Sequence, residues 1–361
     1  MTAATPSPGH PDRNTAVGIV NALRRGVPPE YGLESFSVCR AEILAQFEED
    51  LGLVGAGSSH LRYIDADLGQ GKTHLLKLLR EVAFRRDFIV SIVELSSAEC
   101  PLYRLVDVYG RIVAGLRTRE SPGEPALEAI LGRWLEVMRG ADPERRRKTL
   151  DGLPNGMKGA LVAYLNATNF LGPSLERQDL VLRWLNGESL PLTTRTRIQL
   201  TDNIADATAL AMLSALTALA RDIGYAGVCV LFDEAEGIVS FARSSQRSAA
   251  VANLVRVVRQ TERSHGSYFV YAATPSFFDL LDVNRQLQPR GSDGLIMSPL
   301  PLEIDCLHEL GARIVLLHST AYQWEPDAAT TARLITALQP SDRVSDTTRA
   351  LVAALDEMRE Q

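Results

Sequence analysis

The sequence predicts an α/β fold: a parallel sheet flanked by helices, with an α-helical insertion and a C-terminal helical lid. Three observations predict it. Runs dense in β-branched and aromatic residues, "FIVSIVEL" (Phe88 to Leu95), "GVCVLFDE" (Gly227 to Glu234) and "SYFVYAAT" (Ser267 to Thr274), each follow a helix-like stretch, the alternation that buries a parallel sheet between helices. A glycine-rich turn, "ADLGQGKTHLL" from Ala66 to Leu76, joins a short strand-like run to a leucine-rich helix. Between the runs at 88–95 and 227–234, the stretch from Arg117 to Arg197 has leucine-spaced helices and few β-branched runs.

Composition bounds the rest. With 361 residues, 45% hydrophobic and 23% charged, the chain suits one large domain or two ordinary ones. A net charge of −6 and a pI near 5.6 give no general attraction to polyanions, so any nucleic-acid contact requires a local patch. The four cysteines, Cys39, Cys100, Cys229 and Cys306, form no C-x-x-C pair. Their separation fits reduced thiols acting as small hydrophobes in a cytosol, not a disulfide framework or a zinc site. "HELGA" (His308 to Ala312) starts like H-E-x-x-H but has Ala312 where the second histidine is needed.

Residues 1–15, with three prolines and no apolar stretch, read as a disordered tail without a signal peptide. Ile43, Leu44, Phe47 and Leu51 recur at helical spacing, and "GAGSS" closes that helix. "HLRYIDA" is the strand before the glycine-rich turn, and Leu75, Leu76, Leu79 and Val82 mark one face of the helix after it. "PALEAILGRWLEVMR" and "ERQDLVLRWLNGE" are helices of the insertion. The greasiest stretch, Ala207 to Ala220, is broken by Thr208, Ser214 and Thr217 and falls short of the roughly 20 residues of a bilayer span. A soluble, cytoplasmic protein without membrane contact is expected. At the C-terminus, "LHELGARIVLLHSTAY" and "TTRALVAALDEM" read as two helices with "QPSD" as the turn between them.

The turn has the pattern [AG]-x-x-x-x-G-K-[ST], met by Ala66, Gly71, Lys72 and Thr73, with Gly69 adding freedom. In such a loop main-chain N–H groups converge on phosphates, Lys72 neutralises them, the Thr73 hydroxyl binds Mg²⁺, and the helix presents its positive end. Gln70 and His74 complete the candidate nucleotide contacts. A flexible turn before a helix is the bland alternative. The answering acids are Asp233 and Glu234, delivered to the sheet edge by five apolar residues. Asp233 would orient the magnesium water shell and Glu234 would act as general base on the attacking water. An acidic turn after a buried strand is their simpler reading.

Thr274, at the tip of the adjacent strand, suits a hydrogen bond to γ-phosphate or lytic water, or equally a Thr-Pro turn. Arg285 and Arg290 lie in "NRQLQPRGSDG", before the apolar run "LIMSPLPLEI". In a ring-forming ATPase an arginine there, Arg290 in particular, reaches a neighbouring subunit's nucleotide. Arg256, Arg259 and Arg263 share a helical face, with Arg243 and Arg247 nearby. That stripe is a solvated face or a track for a DNA backbone. "ERRRK" (Glu144 to Lys148) reads as a solvated helix end.

With those residues in place, the chain resembles the P-loop ATP-binding proteins of the BREX bacteriophage-exclusion systems, a divergent AAA+ group. The resemblance rests on "IVNALRRGVPPEYG", "FSVCRAEI", "LGQGKTHLL", "LRWLNGE", "IGYAGVCVLFDEAEGI" and "AATPSFFD", and runs from about Ala16 to the last helix. It implies an AAA+-like core over 16–305 with the insertion at about 117–197, a helical lid over 306–361, and a role in anti-phage defence. By position, Lys72 and Thr73 bind nucleotide and metal, Asp233 and Glu234 serve metal and water, and Thr274 is the sensor. Arg40 matches the arginine near the nucleotide base. Ala66 stands where the loop's first glycine is usual, tolerable if its φ is negative, and Cys39 stands where a glycine precedes Arg40. Either Arg343 or Arg349 fills the place of the lid arginine.

The expected function is therefore a slow, Mg-dependent ATPase acting as a nucleotide-driven switch in a defence complex, with helicase, methyltransferase or phosphatase-like proteins and a second copy of itself as the expected partners. A nucleotide-gated scaffold with little turnover and a DNA-loading initiator-like ATPase are the alternatives.

Overall fold

The computed structural model describes residues 11–67, 69–168, 174–238, 241, 243–261, 264–283, 296–297, 302–339 and 343–360. In chain order these form α1 (Arg13–Arg24), a 3₁₀ turn (Leu33–Ser35), α2 (Ala41–Gly55), β1 (His60–Asp65), α3 (Lys72–Arg85) and β2 (Phe88–Glu94). Then come α4 (Leu105–Ala114), α5 (Leu127–Gly140), α6 (Pro143–Asp151), α7 (Asn155–Ala167), α8 (Leu175–Leu185), α9 (Leu192–Arg197) and α10 (Ala209–Asp222). The chain continues with β3 (Gly227–Asp233), a 3₁₀ turn (Ala235–Ile238), α11 (Ser244–Thr261), β4 (Ser267–Ala273), α12 (Pro275–Val283) and β5 (Ile296–Met297). It closes with α13 (Ile304–Tyr322), α14 (Ala328–Thr336) and α15 (Val344–Glu360). The expected α/β fold with its helical insertion is present.

The strands lie in the order β2-β3-β4-β1-β5. β2 and β3 pair in parallel from Phe88↔Gly227 to Glu94↔Asp233, and β3 and β4 from Val228↔Ser267 to Phe232↔Tyr271. Every residue of β3 and β4 is buried, which is why both read as unbroken apolar runs with no alternation. Phe232 stacks on Tyr271 at 4.5 Å, and Tyr63 packs against Tyr271, Phe277 and Phe278.

The chain forms two compact units. One comprises residues 48–63 and 83–296; the other comprises 1–47, 64–82 and 297–361. The first holds most of the sheet, the insertion and one continuous core that includes Trp134, Trp184, Phe232 and Phe269. A strongly charged buried cluster joins α2, β1 and β4. Arg62 grips the Asp50 carboxylate through two bonds of 2.6 and 2.7 Å, and the Tyr268 hydroxyl donates to the same carboxylate at 2.5 Å.

In the other unit α13 and α15 pack on α1, whose buried Ile19, Val20 and Leu23 supply the apolar stripe. Burying each such side chain is worth about 1.5–3 kcal/mol. Arg24 binds Asp356 through two bonds of 2.8 and 2.9 Å. The Asp356 carboxylate also accepts from His318 Nε2 at 3.0 Å, while Trp324 Nε1 donates to His318 Nδ1 at 2.9 Å. Those two bonds settle the imidazole as the neutral Nε2–H form.

Three local expectations are corrected. α1 begins at Arg13, inside the stretch assigned to the tail, because the Asp12 carboxylate caps it by accepting from Asn14 N and Thr15 N at 2.9 and 3.0 Å. Three C-terminal helices are present, not two. α14 starts on an Asp327 cap and buries no side chain fully, its Leu334 and Ile335 being half-buried. Cys39 and Cys306 form a disulfide, with Cα atoms 6.1 Å apart across 267 residues of sequence. Only Cys100 and Cys229 are the buried thiols expected of all four.

Candidate functional site

The phosphate loop lies where β1 ends and α3 begins. Gly69 and Gly71 have φ of +85° and +87°, a region closed to most side chains. At Gly71 the nearest atom a Cβ would meet is the His74 Cβ, at 3.9 Å, so conformation and not crowding demands glycine there. Ala66 has no positive φ, the condition under which it can replace glycine. The loop is tied internally by Gln70 N donating to Asp67 O at 3.3 Å and Asp67 N donating to Gln70 Oε1 at 3.1 Å. Lys72 is 7% exposed, and its ammonium donates to Ala66 O at 3.0 Å and Asp67 O at 3.4 Å. Thr73 is exposed at the first turn of α3. At the loop's base Asp65 Oδ1 is buried without a hydrogen-bond partner, and burial beside Asp67, opposed by Lys72, raises the Asp65 pKa.

These residues fit a triphosphate. An ammonium held inside a loop of glycine-permitted geometry, a helix N-terminus opening onto that loop and an exposed threonine hydroxyl are the donor set that such an anion requires.

Behind the loop, one side of α3 holds the segment 26–40 as a strap. Lys77 and Arg80 bind the Glu30 carboxylate at 2.7 and 2.5 Å, and Glu81 accepts from Gly32 N and Leu33 N at 2.6 and 3.2 Å. His74 completes the row, with Nε2 2.8 Å from Ser37 Oγ and its ring edge-on to Phe36. The Ser37 hydroxyl already donates to Leu33 O at 2.7 Å, so His74 Nε2 is the donor. His74, named from sequence as a nucleotide contact, thus joins the first turn of α3 to the strap. Arg40 ends the strap half-buried, and burial lowers its pKa.

Desolvation, with Arg40 and Lys77 nearby, lowers the His74 pKa to about 4 from 6.5. The unfolded chain therefore binds this proton more readily across that interval. The stabilisation is complete above about pH 6.5 and is lost as pH falls toward 4. Between pH 7 and 4.5 the melting temperature of wild type is expected to fall further than that of His74→Gln, whose amide can still donate to Ser37. Equal slopes in thermal melts would remove this assignment.

The acids occupy the C-terminal edge of the sheet in the other unit. Asp233 ends β3, 7% exposed, and its Oδ1 accepts from Glu234 N at 3.0 Å. Glu234 is exposed and has φ +55°, an uncommon backbone for a side-chain-bearing residue, of the kind that concentrates at active sites. Thr274 follows β4 at the same edge and serves the start of α12. Its carbonyl accepts from Phe277 N at 3.0 Å and its hydroxyl lies 3.1 Å from Ser276 Oγ. Sequence reading missed Glu94, which ends β2 exposed and in register with Asp233. Its signal was available, a carboxylate closing a buried strand just as Asp233 does.

Arg290, with Arg285 and Arg263, lies outside the described residues. Arg343 precedes α15 and is exposed; Arg349 is exposed and pairs with Asp346 at 3.0 Å. Arg256 is turned inward, donating to Asn253 Oδ1 at 3.2 Å and Asp206 O at 3.0 Å, so the proposed basic stripe loses its first member. Among the described residues no three His, Cys, Asp or Glu side chains converge on a metal position, and no helix is long and apolar enough to cross a membrane.

A family model described as BREX system ATP-binding protein BrxC/D matches residues 12–288. The chain belongs to this family. The matched region takes in the strap, the phosphate loop, the acid edge and Thr274, and stops before α13. The strand order, the loop between β1 and α3 and the acids closing β3 are those of the AAA+-like P-loop fold. Two solved structures from Aeropyrum pernix are similar to the BrxC/D chain. One is the ORC2 protein in ADPNP–ADP complexes, at 16% identity and TM-score 0.45, over 92% of this chain and 64% of that one. The other is the ORC1 protein in complex with DNA, at 13% identity and TM-score 0.38, over 94% and 65%. The chain thus spans just under two thirds of the length of each. No curated protein matches it.

Proposed function

We propose that this chain binds Mg·ATP, hydrolyses it slowly, and acts as a nucleotide-driven switch in a bacterial anti-phage defence complex in the cytoplasm. The observation that carries the reading is the buried Lys72 ammonium inside a loop whose Gly69 and Gly71 are left-handed, at the very start of α3. Lys72 and the amides of the loop, with Gln70, hold the phosphates, and Arg40 lies toward the base. Magnesium, when bound, would neutralise phosphate charge, with Thr73 and Asp233 as its protein partners. Glu234 takes the proton of the attacking water, Thr274 orients that water, and Arg290 is supplied to a neighbouring copy in a homo-oligomer. The C-terminal helices serve as the lid, through Arg343 or Arg349. Other BREX components, of helicase, methyltransferase or phosphatase-like chemistry, receive the conformational signal. Family membership supports the ATP and the defence partners, and the inward-turned Arg256 argues against DNA gripped by α11.

Calorimetric titration with Mg·ATP tests the reading. Lys72→Ala is expected to weaken binding about 10- to 100-fold, the worth of a hydrogen bond to a charged group. Absence of heat with the wild-type chain would overturn the proposal.

A further inference from the structure

The disulfide gives the strap a second anchor. Cys39 is exposed, and Cys306 is the third residue of α13. Two residues before Cys39, Ser37 meets His74 on α3 and its carbonyl accepts from Arg313 Nη1 of α13 at 2.6 Å. One residue after it lies Arg40. The first turn of the phosphate-loop helix, the strap and the start of α13 are therefore linked through six residues of chain, all within one compact unit. Cys39 has φ +52°, a strained backbone for a residue with a side chain that persists only where its surroundings hold it. The bond to α13 is such a restraint.

We propose that Cys39–Cys306 is a thiol–disulfide exchange site for a protein or small-molecule dithiol, and that its reduction loosens the strap from α3 and weakens nucleotide binding. The second half rests on the ATP reading above. A thiolate of the dithiol attacks the sulfur of Cys39, an exposed residue, the S–S bond breaks, and Cys306 leaves as thiolate and takes a proton. Its place at a helix N-terminus favours it as leaving group. The second thiol then attacks the dithiol's own sulfur in the mixed bond, releasing Cys39, which is also protonated. Two electrons and two protons pass to the protein, and the dithiol becomes a disulfide. In a cytoplasmic protein a disulfide is more often transient and redox-sensing than structural. Cys100 and Cys229 take no part: both are buried, and burial pushes the Cys100 thiol up to about 11 and Cys229 higher still.

The test uses the full chain, oxidised and after anaerobic treatment with dithiothreitol. Native alkylation read by mass should mark two cysteines in the reduced protein and none in the oxidised. Hydrogen exchange over 33–41 and 71–78 should quicken on reduction, and Mg·ATP affinity should fall about five-fold or more as pre-organisation is lost. Cys306→Ser should match the reduced wild type and ignore dithiothreitol; should that variant fail to fold, the two wild-type states still decide. A pair that resists dithiothreitol, or a reduction that changes neither exchange nor affinity, overturns the proposal. Faster exchange with no ATP binding in either state keeps the exchange site and its grip on the strap, and overturns the nucleotide reading instead.

Discussion

Replacing Glu234 with glutamine is expected to lower steady-state phosphate release by about 10²–10⁴-fold, the usual contribution of a positioned general base, while leaving Mg·ATP affinity within a factor of a few. The backbone explains the separation. Glu234 N donates to Asp233 Oδ1 and Glu234 O accepts from Gly237 N at 2.9 Å, so both main-chain groups help to hold the left-handed turn. Glutamine keeps the size and shape of the side chain and loses the ability to take a proton. Coupled measurements of phosphate release and calorimetric affinity on both proteins decide the matter. If the two turn over equally, hydrolysis does not pass through this acid, and if neither releases phosphate the chain is a nucleotide-gated scaffold. If binding is lost with turnover, Glu234 supports the loop and not the water.

Asp50→Ala should be the most damaging single change to the fold away from the loop. Asp50 is 1% exposed and is gripped by Arg62 and Tyr268. Its removal leaves a guanidinium, 11% exposed, and a phenol without their acceptor. Breaking such a buried pair costs about 3–5 kcal/mol, because an uncompensated charge remains in place. For a chain of this size a melting temperature lower by about 4–7 °C is expected. Tyr268→Phe removes one donor only and should cost less, about 1.5–3 kcal/mol. Chemical denaturation of both variants checks the order. A loss under 1 kcal/mol for Asp50→Ala would mean that water reaches Arg62.

Much of this was legible from residue order. β3 and β4 announce themselves because burial on both faces admits only apolar side chains, and the phosphate loop because Gly69, Gly71 and Lys72 satisfy a local requirement within a few residues. The acids at the end of β3 followed from the strand that delivers them. What stayed hidden depends on distant partners. Nothing local marks Cys39 and Cys306 as a pair, since only the fold brings them within bonding distance. The positive φ at Cys39 also explains why a glycine is usual before Arg40. His74 has the spacing of a loop residue, and its bond to Ser37 appears only when the strap lies along α3. Arg256 kept its helical register but turned toward Asp206, which periodicity cannot foresee. α14 buries no side chain fully and starts on an Asp327 cap, so the burial that marks most of the other helices is weak there.

The unit that carries the phosphate loop is assembled from three separate stretches of chain, and Arg24 meets Asp356 across 332 residues. On a ribosome adding about 5–20 residues per second, roughly 20–60 s elapse between those two side chains. Until α13 is made Ile19, Val20 and Leu23 lack a partner helix, and until α15 is made the cover stays incomplete, a standing invitation to chaperones. The first helix of the nascent polypeptide must wait for the last before its cover is complete, and translation that stalls short of α15 releases a product whose greasy amino-terminal flank is only partly sheltered by α13.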